Sequence, residues 1–484
     1  IFGVEIYKPY VWETKFNILE FFIKNPNTRK PEIEINHFNV FDFDFGKISK
    51  EHSLEEILVI GNPPWVTNSK LSSLSSGNLP TKSNFKKHSG LDAMTGKGNF
   101  DIGEYITLMM FDAFQNSKGH FAFLVKNSVI KNVVYDQRQR NYKIADLQKL
   151  TIDSKKEFNV SVEASLLCCK LNQTAEFECD EFDIYNPLKL VNQFGWVKEK
   201  FVSSIELYKL SNDIDGVSPF MWRQGIKHDC SSIMEFDREN GHFINGLQHE
   251  VNLEEDLVYG LLKSSDLKET VIDKTRKFTI ITQKKVGQDT SFIKKEFPKT
   301  FTYLYKNKRQ FDLRKSSIYN NKPDYSIFGI GDYSFTPFKV AISGLYKNYS
   351  FNLVLHQNGK PIMLDDTCYL LGFDNLEFAA YTLILLNSEK SKELLQAITF
   401  SDAKRTFTKD ILMRIDILKL ALQFPVRTMQ NELNKINKQF KLTIKLDKFD
   451  EFIKAMKPVN SQQLTLLEPE VKYKKQRKQI LIPA

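Results

Sequence analysis

The stretch Ile57-Leu58-Val59-Ile60-Gly61-Asn62-Pro63-Pro64-Trp65 joins a short apolar run to a polar, proline-rich loop. A continuous run of four apolar residues is typical of a strand buried in a parallel sheet. The two prolines cannot donate to a ladder and therefore end the strand. Because ligands of open α/β sheets bind beyond the carboxyl ends of strands, we expect a functional site directly after Gly61.

The residues that follow this strand suit methylation of an amine on a planar base. Such an amine is a poor nucleophile because its lone pair is delocalised into the ring. The amide oxygen of Asn62 and the carbonyl of Pro63 would accept its two hydrogens and free the lone pair. Pro63 and Pro64 each fix φ near about −65° and so hold that carbonyl, while Trp65 offers a flat face for stacking. The alternative is a strand ended by prolines and followed by a core tryptophan.

Strand and helix patterns alternate in the first part of the chain, which predicts a doubly wound α/β sheet. Apolar runs predict strands at residues 2–6, 32–38, 57–60, 120–125, 144–152 and 164–171, and helical periodicity predicts helices at 11–24 and 102–115. After about residue 186 the chain becomes β-leaning and aromatic, and it turns helical and lysine-rich near its end. We therefore expect parts at 1–185, 186–420 and 421–484.

Composition and cysteine usage indicate a cytoplasmic globular protein. The 484 residues are 42% hydrophobic and 26% charged, and no apolar run approaches the ~20 residues needed to cross a bilayer. Five cysteines and eight histidines show no metal-binding spacing, so we expect packed thiols and no metal site. The cysteines are Cys168, Cys169, Cys179, Cys230 and Cys368.

Positive charge is concentrated in residues 268–322. This segment holds fifteen basic and five acidic residues, a balance of +10, whereas the whole chain carries +9. Aromatic residues are interleaved with the basic ones, a pattern that favours a groove for a polyanion. The alternative is a solvated basic face on an ordinary β-rich domain.

Several stretches together resemble the S-adenosylmethionine-dependent N6-adenine DNA methyltransferases of restriction–modification systems. The matching stretches are 2–6, 37–44, 62–65, 96–101, 119–125 and 157–164. The resemblance implies a Rossmann-like class I methyltransferase sheet followed by a mixed α+β target-recognition domain. It also implies double-stranded DNA as substrate, a cognate restriction endonuclease as partner, no membrane, and S-adenosyl-L-methionine as cofactor.

The resemblance also assigns roles to individual residues. Glu5 would accept hydrogen bonds from the cofactor ribose, and Ile6 would pack on the cofactor adenine. Either Asn39 or Asp42 would contact the adenine amino group, because the register of that stretch is ambiguous. Asn62 through Trp65 match the catalytic motif, with Asn62 also near the cofactor.

Phe158 is the candidate for the second aromatic ring on the flipped base. Its alternative role is ordinary hydrophobic packing, and for Glu5 the alternative is an exposed strand end. No residue matches the family's Gly-rich cofactor loop, which should lie just before Phe2. We therefore expect the natural chain to start upstream of Ile1. The family's central strand would also be missing, which would leave a gap between the strands at 2–6 and 57–60. We therefore expect the chain to bind cofactor weakly.

Other functions fit the same residues. The Asn-Pro-Pro-aromatic arrangement also serves methyltransferases that act on protein glutamine or on RNA. A non-catalytic DNA-binding or specificity module is a second alternative. A third is the methyltransferase half of a fused restriction enzyme.

Overall fold

A computed structural model describes residues 1–66, 101–400 and 405–457. The chain divides into two compact units. Unit 1 comprises Ile1–Leu210 and Glu393–Thr406, and unit 2 comprises Ser211–Lys392 and Phe407–Ala484. The predicted division into a catalytic part (1–185), a target-recognition part (186–420) and a C-terminal extension (421–484) stays a prediction. The predicted motif at 96–101, except Asp101, and the chain end beyond residue 457 lie outside the described residues.

Unit 1 alternates strands and helices much as predicted. Its strands are β1 (Phe2–Glu5), β2 (Glu34–His37), β3 (Ile57–Gly61), β4 (Gly119–Lys126), β5 (Ile144–Ile152), β6 (Ala164–Leu171), β7 (Glu178–Asp183), β8 (Asn186–Val197) and β9 (Lys200–Val202). Its helices are α1 (Lys8–Lys24), α2 (Phe45–Glu51), α3 (Ile102–Phe114), α4 (Asn127–Arg140), α5 (Ser154–Phe158) and, at the boundary with unit 2, α6 (Ile205–Ser211).

The strands of unit 1 form two separate sheets. A seven-stranded sheet has the order β3-β4-β6-β5-β7-β8-β9, and β1 pairs in parallel with β2 alone. In the larger sheet β3/β4 and β5/β7 are parallel, whereas β4/β6, β5/β6, β7/β8 and β8/β9 are antiparallel. The predicted gap between the strands at 2–6 and 57–60 is therefore present in the described part of the chain.

The prediction that β3 is a buried strand is wrong. Leu58 and Ile60 are exposed, because β3 is an edge strand whose only described neighbour is β4. The apolar run thus marked a strand correctly but not its place in the sheet. Burial of a strand depends on residues that are distant in the sequence.

Helix α3 anchors the core of unit 1 directly behind β3 and β4. The carboxylate of Asp101 accepts a hydrogen bond from the Gly103 amide at 3.0 Å and so caps the helix. Ile106 and Met110, one helical turn apart, belong to the core together with Phe111, whose ring lies 4.5 Å from that of Phe121 on β4. This packing fixes the amino end of α3 near the carboxyl ends of β3 and β4.

Unit 2 is a mixed α/β assembly with two sheets of its own. Their orders are β13-β12-β11-β16-β14-β19 and β10-β20-β17-β18-β15. The strands are β10 (Arg223–Gln224), β11 (Glu235–Glu239), β12 (His242–Asn245), β13 (Glu250–Val251), β14 (Val258–Leu262), β15 (Val271–Ile272), β16 (Lys277–Ile280), β17 (Phe338–Ser343), β18 (Asn352–Val354), β19 (Met363–Leu364) and β20 (Cys368–Phe373).

The remaining helices include the predicted helical region after residue 416. They are α7 (Ser231–Met234), α8 (Phe292–Glu296), α9 (Pro298–Lys306), α10 (Lys308–Asp312), α11 (Leu376–Leu386), α12 (Glu389–Ile398, at the unit boundary), α13 (Lys409–Leu412), α14 (Ile417–Gln423), α15 (Val426–Phe440) and α16 (Phe449–Met456). None of the helices within the described ranges has the length and hydropathy to cross a bilayer.

Candidate active site

Asn62 lies immediately beyond the carboxyl end of β3, at the edge of the larger sheet. Its placement depends on Gly61, which pairs with Phe123 of β4. A Cβ atom at residue 61 would lie only 2.7 Å from the Phe123 ring. The absence of a side chain therefore lets β3 approach β4 closely up to its last residue, and the exposed Asn62 follows at once.

The two prolines are held by the first turn of α3. Pro63 is buried. A Cβ atom added at Gly103 would lie 3.7 Å from the Cγ of Pro63 and 3.6 Å from the carbonyl oxygen of Pro64. The Ile102 amide donates to the Val66 carbonyl at 3.0 Å. The loop from Asn62 to Val66 is thus fixed by the helix that packs behind it.

Trp65 is oriented by a hydrogen bond and by an aromatic contact. Its indole Nε1 donates to the Leu124 carbonyl on β4 at 3.2 Å. Its ring meets Phe158 of α5 edge to face, with centroids 5.9 Å apart and planes at 90°. The structure therefore brings together the two rings that the sequence analysis assigned to base stacking, although 93 positions separate them along the chain.

Asp101 and Lys126 form an ion pair beside this loop that the sequence analysis did not single out as a functional contact. The Lys126 Nζ lies 2.5 Å from Asp101 Oδ2, and the two side chains are only 16% and 14% exposed. The pair joins the carboxyl end of β4 to the cap of α3. A lysine at a strand end and an acid at a helix start are each unremarkable in sequence, so no local signal pairs them.

A cavity of about 900 Å³ lies between β1 and β3. This volume is within the range of small-molecule and cofactor sites, about 300–1,000 Å³. Glu5, Ile6, Asn39 and Asn62 line it, as do Pro63 and Pro64. The catalytic motif, except Trp65, and most of the residues predicted to bind cofactor therefore share one cavity.

The remaining predicted residues lie outside the cavity lining. Asp42 is exposed and does not contribute to the cavity, whereas Asn39 does. Trp65 and Phe158 do not line it either. The Oε1 of Glu5 accepts from the Tyr7 amide at 2.7 Å, and the Oδ1 of Asn39 accepts from the Phe41 amide at 3.2 Å.

The charged side chains of the cavity are acidic. Among the described residues that line it there are five glutamates and no lysine or arginine. The glutamates are Glu5, Glu32, Glu34, Glu55 and Glu56. Such a lining attracts a cationic ligand and repels an anionic one. Within the described ranges no group of three or more His, Cys, Asp or Glu side chains is placed to hold a metal ion.

The basic segment 268–322 lies in unit 2. Its loop before α8 and the helices α8–α10 present exposed cations: Lys284, Lys285, Lys294, Lys295, Lys299, Lys306 and Arg309. Six of its aromatic rings pack against the core of unit 2, Phe311 buried and the others partly buried: Phe278, Phe292, Phe297, Phe301, Tyr303 and Phe311. The aromatic groove for a polyanion stays a prediction.

Comparisons with known proteins place the chain among methyltransferases. It is 38% identical over 423 residues to the type II methyltransferase M.NspV from Nostoc sp.. The alignment covers 87% of this chain and 86% of M.NspV. No family model matches the chain.

One solved structure shows the same kind of fold. The type IIL restriction–modification enzyme MmeI, solved in complex with DNA, aligns with a TM-score of 0.53 at 13% identity over 95% of this chain. The chain spans 64% of the length of MmeI, slightly less than two thirds. A nuclease-deletion mutant of the type ISP restriction–modification enzyme LlaGI, solved with a DNA substrate mimic, aligns with a TM-score of 0.42 at 9% identity, over 86% of this chain and 46% of that one. At such low identity the likeness to MmeI shows the fold alone, a mixed α/β fold with several sheets.

Proposed function

The chain belongs to the type II methyltransferase family, and we propose that it methylates the N6 amine of adenine in double-stranded DNA within a restriction–modification system. The observation that carries this proposal is the placement of Asn62-Pro63-Pro64-Trp65. The motif lies at the carboxyl end of β3, on the rim of an acidic cavity and beside a second aromatic ring. We further propose that the sheet of unit 1 is Rossmann-like and that the protein works in the cytoplasm.

Asn62 and the Pro63 carbonyl would hold the target amine. Both are hydrogen-bond acceptors, and an amino group has two hydrogens to donate. Accepting both hydrogens localises the nitrogen lone pair and aims it at the methyl donor. Because Pro63 is buried against α3, its carbonyl is placed before the base arrives. Catalysis would come from positioning and electrostatics, without a covalent enzyme intermediate.

Trp65 and Phe158 would receive the extruded base. Extrusion of a base from a duplex costs a few kcal/mol, and stacking on an aromatic ring offsets part of that cost. The two rings touch edge to face, so a base stacked on either ring would replace this contact. The hydrogen bond from the Trp65 indole to Leu124 would keep one ring in place during the exchange.

The cavity fits S-adenosyl-L-methionine, which when bound supplies an electrophilic methyl group. Its five glutamates suit a ligand with a sulfonium and an ammonium charge. Glu5 would accept from the ribose hydroxyls, Ile6 would pack on the adenine ring, and Asn39 or Asp42 would accept from the adenine amino group. Asn62 lines the same cavity and would therefore be close to the bound cofactor.

Unit 2 would provide target recognition. The exposed cations of α8–α10 and of the preceding loop suit phosphate contacts, which dominate the affinity for DNA and weaken with salt. Within this proposal residues 186–420 form the target-recognition part and 421–484 a basic helical extension. A restriction endonuclease that cuts the same site would be the biological partner.

Transfer of a labelled methyl group tests the proposal. The full chain is incubated with labelled cofactor and, in parallel, with duplex DNA, RNA or glutamine-containing peptides, and the product nucleosides are separated. We expect label in N6-methyladenine of DNA only. Label in cytosine, RNA or peptide would refute the substrate assignment.

Variants of Asn62 test the site itself. Asn62→Ala removes one of the two acceptors and should lower kcat by at least about 100-fold while DNA binding is retained. Asn62→Asp keeps an acceptor and should retain part of the activity, which makes it the matched control. Equal turnover by Asn62→Ala and the wild type would contradict the assignment.

A further inference from the structure

The hairpin between β7 and β8 lies on the same edge of the sheet as the catalytic motif. Strand β3 is parallel to β4, and both β4 and β5 are antiparallel to β6, so β4 and β5 run the same way. Strand β7 is parallel to β5. The carboxyl ends of β3, β4, β5 and β7 therefore meet at one edge. That edge carries the Asn62 loop, α5 and the hairpin in a row.

Contacts of Tyr185 fix this hairpin to the helix that bears Phe158. The Tyr185 hydroxyl donates to Glu157 Oε1 at 2.6 Å, and the Lys156 Nζ lies 4.7 Å from the centre of the Tyr185 ring. The Ile184 amide donates to the Thr151 carbonyl at 3.1 Å. Since Phe158 touches Trp65, a continuous series of contacts runs from the catalytic loop to the hairpin.

The tip of the hairpin leaves the ladder and exposes an apolar side chain. Phe182 pairs with Leu190, whereas Asp183 pairs with Asn186, so residues 187–189 have no partner across the strand. Bulges of this kind re-aim side chains and are frequent next to active sites. Leu188 at the centre of the bulge is 96% exposed.

The surroundings of this side chain suit a duplex better than a protein surface. Lys189 at the tip and Lys155 and Lys156 on α5 are exposed. The nearby carboxylates accept hydrogen bonds, Asp183 and Glu157 from Tyr185 and Asp153 from the amides of Lys155 and Lys156. The exposed apolar and aromatic side chains near the tip are Tyr185, Leu188, Leu190 and Val191. Four such side chains cannot supply the area of about 800 Å² per partner that a stable protein interface needs.

We infer that Leu188 is a wedge that enters the DNA duplex beside the target base and fills the space that the extruded base leaves. The inference rests on the proposed function and adds a residue to it. Proteins that distort duplexes insert Leu, Ile, Phe or Met between base steps and thereby offset the cost of unstacking. Lys189 and the two lysines of α5 would contact the flanking phosphates.

The test compares Leu188→Ala with Leu54→Ala in the full chain. Leu54 is 99% exposed and precedes β3, so it lies at the opposite edge of the sheet and is the matched control. Methylation is measured on a paired duplex and on one in which the target base is mispaired. A wedge is needed only when the base must be pulled from a stable pair.

We expect Leu188→Ala to lower kcat/KM about tenfold on paired DNA and to recover to within about twofold of the wild type on mispaired DNA. Leu188→Met should keep the wild-type rate on both duplexes. 2-Aminopurine at the target position should report less extrusion for Leu188→Ala than for Leu54→Ala.

Four outcomes would overturn the inference. Wild-type rates for Leu188→Ala on paired DNA would show that no wedge acts. An equal loss on paired and mispaired DNA, or a changed oligomeric state in sedimentation, would assign the tip to binding or to a protein contact. If the wild type transfers methyl groups to neither duplex, the proposed function fails, and the inference falls with it.

Discussion

The cavity of unit 1 has two walls that differ in how firmly they are held. The catalytic wall comprises residues 57–66 and 101–126, which include β3, the Asn62 loop, α3 and β4. The cofactor wall comprises residues 1–37, which include β1, α1 and β2. In the cofactor wall only Val11 and Ile35 are buried, whereas most of α3 is buried in the catalytic wall.

Hydrogen bonds sharpen this difference. The carboxyl end of the Asn62 loop is tied to two neighbouring elements, since Trp65 donates to Leu124 and Val66 accepts from Ile102. Helix α1 of the cofactor wall instead exposes many large apolar side chains: Tyr10, Trp12, Phe16, Leu19, Phe21 and Ile23. Positions that require an exact geometry for chemistry thus lie on the wall with the denser packing.

Hydrogen exchange should show the largest difference between the walls. Amides open locally with free energies that range from near zero up to the global stability, and few buried apolar contacts favour the low end. We expect amides of α1 and β2 to exchange at least about 100-fold faster than those of α3 and β4, measured by mass spectrometry on the full chain. Equal protection would show that the walls form one cooperative unit.

Two glycines on opposite walls offer a matched test of packing. A Cβ at Gly61 would meet the Phe123 ring at 2.7 Å, and this ring is buried and stacked on Phe121 at 4.4 Å. A Cβ at Gly3 would meet the terminal Cδ1 of Ile35 at 2.8 Å, and that methyl group can rotate away. Gly61→Ala should therefore destabilise by about 1–3 kcal/mol and Gly3→Ala by less.

Denaturant unfolding and methylation assays would measure both glycine variants. Gly61→Ala should also lose activity, because it displaces Asn62, which follows it in the chain. An equal effect of the two variants on stability would mean that the catalytic wall tolerates overpacking as readily as the cofactor wall.

Local sequence signals predicted most helices and strands of unit 1 but not their neighbours in the sheet or their burial. Strands β5 and β6 were predicted to the residue, because each is an apolar run bounded by turn signals. Helix α4 is absent from the predicted elements, although Val129, Ile130, Val133 and Val134 recur at helical spacing. The exposure of β3 was missed, because pairing partners and neighbouring sheets are properties of the whole fold.

For the site, the sequence predicted residues better than contacts. Asn62, Glu5 and Asn39 share one cavity, and Trp65 touches Phe158. The Asp101–Lys126 pair could not be predicted, since 25 positions separate two ordinary residue types. Nor could composition show that aromatic residues of the basic segment pack against the core of unit 2, because exposed cations and core-packed rings alternate along the same helices.

The ion pairs of the two walls should differ in coupling energy. Asp101 and Lys126 are nearly shielded from solvent, whereas Glu20 and Lys24 of α1 are 61% and 68% exposed with a 2.7 Å contact. A double-mutant cycle with Asp101→Ala and Lys126→Met should give about 1–2 kcal/mol. The cycle with Glu20→Ala and Lys24→Met should give no more than about 0.5 kcal/mol. Coupling energies of similar size would remove the distinction between the walls.

The smallest expected effect separates Asn39 from Asp42, the two candidates for the contact with the cofactor adenine. Asn39 lines the cavity, and its Oδ1 is oriented by the Phe41 amide. Asp42 is exposed and lies outside the lining. Because Asn39→Ala removes one hydrogen bond worth about 1 kcal/mol, it should raise the Kd for S-adenosylmethionine roughly fivefold in calorimetry. Asp42→Ala should leave the Kd within about twofold of the wild type. The reverse order would assign the contact to Asp42, and it would mean that the segment after β2 rearranges when ligand binds.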